Sequence, residues 1–157
     1  MKPEMSDNTF KKVGDSDERM YGPQKILVCG YPSDEHASLM DFFAAYGFSD
    51  FPIVFVTKTD ESRLLKEIIL GKHRSGYQQT SGTKRAIILS GFTENELRQL
   101  LSAYRSEKLP RPLMATLTPT SENWTVKHLM TELSLEAETM KQFQREKTAS
   151  YTSDNQE

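Results

Sequence analysis

Ile26-Leu27-Val28-Cys29-Gly30-Tyr31 and Ile87-Ile88-Leu89-Ser90-Gly91-Phe92 are two versions of one phrase, 61 residues apart. Each is a short apolar run closed by a glycine and an aromatic residue. The same offset, without a gap, sets Glu35, Leu39, Met40 and Phe43 against Glu96, Leu100, Leu101 and Tyr104. It also sets Thr57 and Thr59 against Thr118 and Thr120, and Ile68 against Leu129. A repeat of this length constrains architecture better than any single motif. It leaves function open.

Working outward, residues 25–30 suit a strand buried on both faces, since almost every position is apolar. Residues 33–46 place apolar side chains at 36, 39, 40, 43 and 46, a helical spacing, and Gly47 is a natural stop. Residues 53–57 are β-branched and aromatic and read as a strand. Residues 62–70 read as a helix with Leu64, Leu65, Ile68 and Ile69 on one face. The second half repeats the order. Residues 85–90 form a strand. Residues 93–108 form an amphipathic helix with Leu97, Leu100, Leu101 and Tyr104 inward, opened by a capping box of Thr93 and Glu96. Residues 113–118 form a strand, and a final helix runs from Trp124 to about residue 144.

Alternating strands and helices imply an α/β fold with a parallel sheet covered on both faces. Two βαβα half-repeats, 24–70 and 85–133, give a four-stranded sheet of order 2-1-3-4 under right-handed crossovers. The two first helices are then expected on opposite faces. A ferredoxin-like antiparallel sheet is the competing fold, and it would require the helix at 62–70 to be absent. Residues 1–23 carry few large apolar side chains and are expected to be a disordered tail, as are residues 145–157. Residues 24–144 form one domain. The joining segment 71–84 is rich in glycine, lacks large aliphatic side chains through residue 83, and is expected to be a mobile linker.

The 157-residue length fits a single domain, and hydrophobic content of 36% with charged content of 27% fits a core diluted by polar tails. The formal net charge of −2 draws the chain toward neither nucleic acid nor anionic lipid. Lys72, Arg74, Lys84 and Arg85 lack the interleaved aromatic residues of a nucleic-acid surface. No apolar run approaches the roughly 20 residues that span a bilayer, and the N-terminus lacks the apolar core of a signal peptide. A single cysteine excludes an internal disulfide and suits a reducing compartment. The expected location is cytoplasmic.

In a doubly wound sheet, ligands bind beyond the carboxyl ends of the central strands. That crevice would be built by Gly30, Tyr31 and Ser33 from one half and Gly91, Phe92 and Thr93 from the other. Thr118, Asn123 and Trp124 would form a polar lip beside it. Two helix N-termini would offer free N–H groups to an anion, but Asp34, Glu35, Glu94 and Glu96 already occupy those positions. The plainer reading is that the two turns are folding signals whose acids begin the helices. Cys29 ends the first strand, where cysteine phosphocarriers and low-molecular-weight tyrosine phosphatases keep a nucleophile. The following loop has no basic residue, carries two carboxylates and includes Pro32, so a buried structural thiol is expected. Neither strand end carries the acidic cluster of an Mg²⁺ site. Ser81-Gly82-Thr83-Lys84 precedes a strand rather than opening a helix, unlike a phosphate loop. His36, His73 and His128 lack metal-ligand spacing. No metal and no cofactor is expected. The last helix is longer than the sheet needs. Leu133, Ala137, Met140 and Phe143 on it form an adaptable apolar surface suited to a protein partner or to self-association.

Ser90-Gly91-Phe92, the leucine-rich helix that follows, Leu109-Pro110-Arg111-Pro112-Leu113, Leu117-Thr118-Pro119-Thr120 and Asn123-Trp124-Thr125 together resemble a family of small, mostly bacterial proteins known only as a domain of unknown function. The resemblance covers residues 86–142 and reaches the first half only through the repeat. It implies a fold unit and a bacterial origin, and brings no activity, substrate or cofactor. The function expected from the residues is therefore a non-catalytic binding or regulatory module. The alternative is a small-ligand or anion binder, or a cysteine-dependent enzyme, using the central crevice.

Overall fold

In the computed structural model, residues 17–155 are described, with side chains to residue 145. The elements follow in the order β1 (Lys25–Cys29), α1 (His36–Ala45), β2 (Ile53–Phe55), α2 (Leu65–Ile68), β3 (Ala86–Ser90), α3 (Glu94–Ser106), β4 (Leu113–Thr116) and α4 (Val126–Asn155). The four strands form one sheet of order β2-β1-β3-β4. β1 runs parallel to β2, and β3 runs parallel to β4. The central pair is antiparallel, in register Lys25↔Ser90 through Leu27↔Ile88 to Cys29↔Ala86.

The sheet is thus mixed, and the all-parallel expectation is corrected. β1 and β3 are apolar at nearly every position and buried on both faces. Such runs fit either direction, because their side-chain pattern carries no polarity. The direction also decides the layers. With β1 and β3 opposed, two right-handed crossovers turning outward land on the same face. α1 and α3 accordingly share one face, where Leu39, Phe43, Leu100 and Tyr104 cover Ile26, Val28, Ile87 and Leu89. α2 and α4 share the other, where Leu65, Ile68, Val126 and Leu129 cover Leu27, Cys29 and Ile88. The expectation of first helices on opposite faces fails for this reason.

Each buried leucine, isoleucine or phenylalanine contributes about 1.5–3 kcal/mol. Two full apolar layers therefore outweigh the exposed ion pairs, such as Arg63 with Asp60. The α2–α4 layer has a further tie. Leu65 N–H donates to the Trp124 carbonyl at 2.9 Å, and Val126 N–H donates to the Arg63 carbonyl at 3.3 Å. Around this crossing the helix expected at 62–70 is shorter, with a 3₁₀ turn at Lys58–Ser62 before α2. The last helix is longer than expected, continuing to Asn155 through residues read as tail.

The joining segment does not hang free. Arg74 N–H donates to the Ile53 carbonyl at 2.7 Å, and Phe55 N–H donates to the Ser75 carbonyl at 2.8 Å. Ile53 N–H donates to His73 Nδ1 at 3.0 Å. Residues 73–75, within the segment 71–84 expected as a mobile linker, therefore lie along the outer edge of β2. His36 secures the segment from the other side. Its Nδ1 accepts from Gln78 N–H at 2.9 Å, so its Nε2 carries the proton toward the Tyr31 carbonyl at 3.0 Å. The ring stacks on Phe55 with centroids 4.2 Å apart. Residues 17–23, read as tail, are docked as well: Arg19 bridges Thr93, and Met20 N–H donates to the Phe92 carbonyl at 2.8 Å. The rest of the expected N-terminal tail, residues 1–16, lies outside the described residues.

Gly76 tests the docked segment. Its φ of +74° favours glycine, and an added Cβ would meet the Phe55 carbonyl oxygen. Gly76→Ala is expected to cost about 2 kcal/mol or more in urea unfolding. A change below about 0.5 kcal/mol would mean that the segment is not held there.

Candidate functional site

The antiparallel central pair separates the two glycine turns. Gly30 follows Cys29, which pairs with the start of β3, whereas Gly91 follows Ser90, which pairs with the start of β1. Six residues of extended strand put the turns roughly 20 Å apart. Gly30, Tyr31 and Ser33 therefore lie at one end of the sheet and Gly91, Phe92 and Thr93 at the other. The single crevice expected from a parallel centre is not formed.

Each turn is also filled by its own chain. Gly30 has φ of +74°, its N–H donates to Ser81 Oγ at 2.9 Å, and the backbone of Thr83 and Lys84 lies where its side chain would be. Tyr31 is buried in the α1–α3 layer. Ser33 opens a one-turn 3₁₀ segment. Glu35 beside it takes two hydrogen bonds from Arg85, at 3.0 and 2.7 Å. The Arg85 guanidinium holds the Glu35 carboxyl below its usual range. At the opposite turn, Gly91 has φ of +68° and packs against residues 22–24. Its N–H donates to the Tyr21 carbonyl at 3.0 Å. Phe92 is buried between Phe48 and Phe51. Thr93 and Glu96 complete the capping box at 3.0 and 2.9 Å. Arg19 then bonds both the Gly91 carbonyl and Glu96. An anion at either turn would have to displace these bonds.

Cys29 is fully buried in the α2–α4 layer. Burial first, and the Glu61 and Asp60 carboxylates after it, push its thiol up to about 12. A protonated, enclosed thiol is a poor nucleophile. Its offset partner Ser90 is equally enclosed, against Gly22. His36 and His73 spend ring nitrogens on backbone groups, and His128 stacks on Trp124 with centroids 4.3 Å apart. Among the described residues no cluster of metal ligands forms, and no helix is long and apolar enough to cross a membrane.

Two of the expected residue sets meet elsewhere. A groove of about 760 Å³ follows β4, the outer strand opposite β2. Thr118 and Trp124, from the expected crevice, line it together with Leu133, Ala137 and Met140 from the expected partner surface. Asn123 is not part of its lining; its side-chain amide donates to the Pro119 carbonyl at 3.3 Å. Phe143 lies further along α4, with 58% of its surface exposed. Across the strand, α3 contributes Leu97 and Leu101, which are half-buried rather than core residues. A polar concavity of about 860 Å³ over α3 is lined by groups that bond one another, such as Arg19 with Glu96 and Asn95 with Asp17.

The groove holds residues that the sequence reading passed over, Met114 and Thr116. Leu113 N–H donates to the Arg85 carbonyl at 3.1 Å, and Leu117 N–H donates to the Leu89 carbonyl at 2.8 Å. Alternation along β4 then turns the N–H and C=O of Met114 and Thr116 outward. Among the described residues no hydrogen bond reaches those outward groups. The signal was available in the 61-residue offset read from the sequence. Among the described residues, the segment that covers β2 has no counterpart after β4, because the chain continues as helix.

Residues 85–140 match the model of a family described as Domain of unknown function (DUF3783). No curated protein and no solved structure matches the chain.

The enclosed thiol has two measurable consequences. Alkylation of Cys29 by iodoacetamide at pH 8 is expected to be at least about 100-fold slower in the folded protein than in urea-unfolded protein. Equal rates would contradict its burial. The folded thiol keeps its proton to about 12, while an unfolded one ionises near its ordinary 9.0. Above that lower value the unfolded state loses a proton that the folded state retains, so this contribution to stability falls as pH rises toward 12. Cys29→Ala should flatten that alkaline slope in urea titrations.

The chain is thus similar, over β3, α3, β4 and the first half of α4, to a domain whose function is unknown.

Proposed function

We propose that this protein is a non-catalytic binding or regulatory module, built from two half-repeats, that engages a polypeptide along the β4 edge. One observation carries the reading. The groove beside β4 combines apolar walls from α3 and α4 with outward backbone groups that have no bond among the described residues. Strand addition uses that combination: main-chain hydrogen bonds supply affinity and flanking side chains supply selectivity. The filled glycine turns and the protonated Cys29 favour binding over chemistry.

Several contacts support the half-repeat reading. The cross-strand pair Leu27↔Ile88 and the isolated bridge Leu64↔Thr125 each join positions 61 residues apart. Leu65 to Trp124 and Val126 to Arg63 are likewise one bond and its image under that offset. Thr57 N–H donates to Asp60 Oδ2, and Thr118 N–H donates to Ser121 Oγ, both at 3.0 Å. An approximate two-fold axis through Leu27 and Ile88, perpendicular to the sheet, accounts for all of them. The single buried cysteine favours a reducing, cytoplasmic setting, and the resemblance favours a bacterial source.

The rival reading places a nucleotide, phosphate or small acid at a glycine turn. A ligand at 1 mM with Kd of about 10 μM would stabilise the fold by about 2.7 kcal/mol, a rise of several degrees in Tm. The binding-module reading predicts shifts below about 1 °C across a panel of nucleotides, inorganic phosphate and small carboxylic acids. A reproducible rise of several degrees with one of them would replace it.

A further inference from the structure

The two outer strands make an internal comparison. Ile53 and Phe55 of β2 lie 61 residues before Met114 and Thr116 of β4. Three of the four outward groups of Ile53 and Phe55 are taken: the Ile53 N–H by His73, the Ile53 carbonyl by Arg74 and the Phe55 N–H by Ser75. The outward groups of Met114 and Thr116 are not taken within the described chain. Soluble proteins blunt such an edge with charges, prolines or bulges. Pro110 and Pro112 guard only the approach to β4, and Leu113-Met114-Ala115-Thr116 contains neither a charge nor a proline. On the groove side of α4, beside Glu132 and Glu136, Met140 is exposed by 56%.

We propose that the β4 edge is covered by the β4 edge of a second copy, in antiparallel pairing about a two-fold axis at Ala115. This rests on the binding-module reading and names its partner. The β4 edge presents what it needs: outward N–H and C=O groups at two positions, two residues apart. Only outward residues form hydrogen-bonded pairs in an antiparallel ladder. Pairing Met114 with Thr116 of the second copy, and the reverse, uses all four donors and acceptors on each side and places Ala115 on the axis. Alanine there is the smallest side chain of β4, so the two strands approach without a clash. The groove walls Leu133, Ala137 and Met140 then meet their copies across the axis. The sheet becomes continuous over eight strands, and its free ends are the two β2 edges that residues 73–75 already occupy. Closed two-fold dimers are the commonest assemblies of soluble proteins.

The pairing is read in two ways on the full-length protein. In sedimentation velocity from 1 to 200 μM, the wild type shifts from monomer to dimer mass. Thr116→Pro removes an outward N–H without touching the bonds to β3, and is tolerated on an edge strand. It is expected to weaken the dimer at least about tenfold while the circular dichroism spectrum is kept. Ala115→Cys is the second variant. Opposed residues of a non-hydrogen-bonded pair lie about 4.5 Å apart at Cα, within the range of about 4.4–6.8 Å that a disulfide accepts. Mild oxidation should therefore give a reducible dimer band from Ala115→Cys and none from the wild type, whose Cys29 is enclosed. A wild type that stays monomeric to 200 μM overturns the proposal. So does a dimer whose mass survives Thr116→Pro, or an Ala115→Cys protein that fails to cross-link. If Thr116→Pro does not fold, the cross-link decides alone. Failure here leaves the thermal-shift panel as the separate test of the binding-module reading.

Discussion

The structure depends on one pairing, the antiparallel ladder between β1 and β3. Its register puts Leu27 opposite Ile88, and the rest follows from that contact. Opposed central strands send both outward crossovers to the same face, so α1 and α3 share a layer and α2 and α4 share the other. They also carry the two glycine turns to opposite ends of the sheet. A parallel centre with the same strand order would have divided the helices differently and brought the turns together. Strand direction, rather than the residues of the turns, determines whether this chain has a central crevice.

The turns themselves are built for closure. Each glycine adopts a positive φ while neighbouring backbone fills the space that a side chain would need. Each following acid is engaged, Glu35 by Arg85 and Glu96 by Arg19 and the Thr93 cap. Their chemistry is spent on folding. The unspent chemistry lies along β4, where half the backbone groups of the strand point away from the sheet and apolar side chains from two helices stand on either side. The two outer strands of one sheet thus meet different fates, because residues 73–75 return to β2 and, among the described residues, no segment with that role follows β4.

Much of this was legible in the sequence. The strand order 2-1-3-4 was expected from the 61-residue sequence offset and the crossover rule, and the observed sheet has it. The Thr93–Glu96 capping box was readable as residue types at fixed spacing. The enclosure of Cys29 followed from an apolar strand ending in a loop without a base. What was not legible had a common cause. A strand buried on both faces has no side-chain alternation to declare its direction, so Ile26–Cys29 and Ile87–Ser90 fit a parallel or an antiparallel neighbour equally well. Glycine-rich residues 71–83 looked mobile because composition does not register backbone bonds to a strand edge. Residues 17–23 looked like tail for the same reason, since their hold on Phe92 and Gly91 is largely main-chain.

The central claim is that one outer edge of the sheet is closed by its own chain and the other, among the described residues, is left open. Amide hydrogen exchange followed by NMR in dilute protein tests this directly. The Ile53 and Phe55 amides, which donate to His73 and Ser75, should exchange at rates set by opening of the fold. The Met114 and Thr116 amides should exchange orders of magnitude faster, while Leu113 and Leu117 on the same strand stay protected. Equal protection at all four outward positions, or fast exchange at Ile53 and Phe55, would contradict the account.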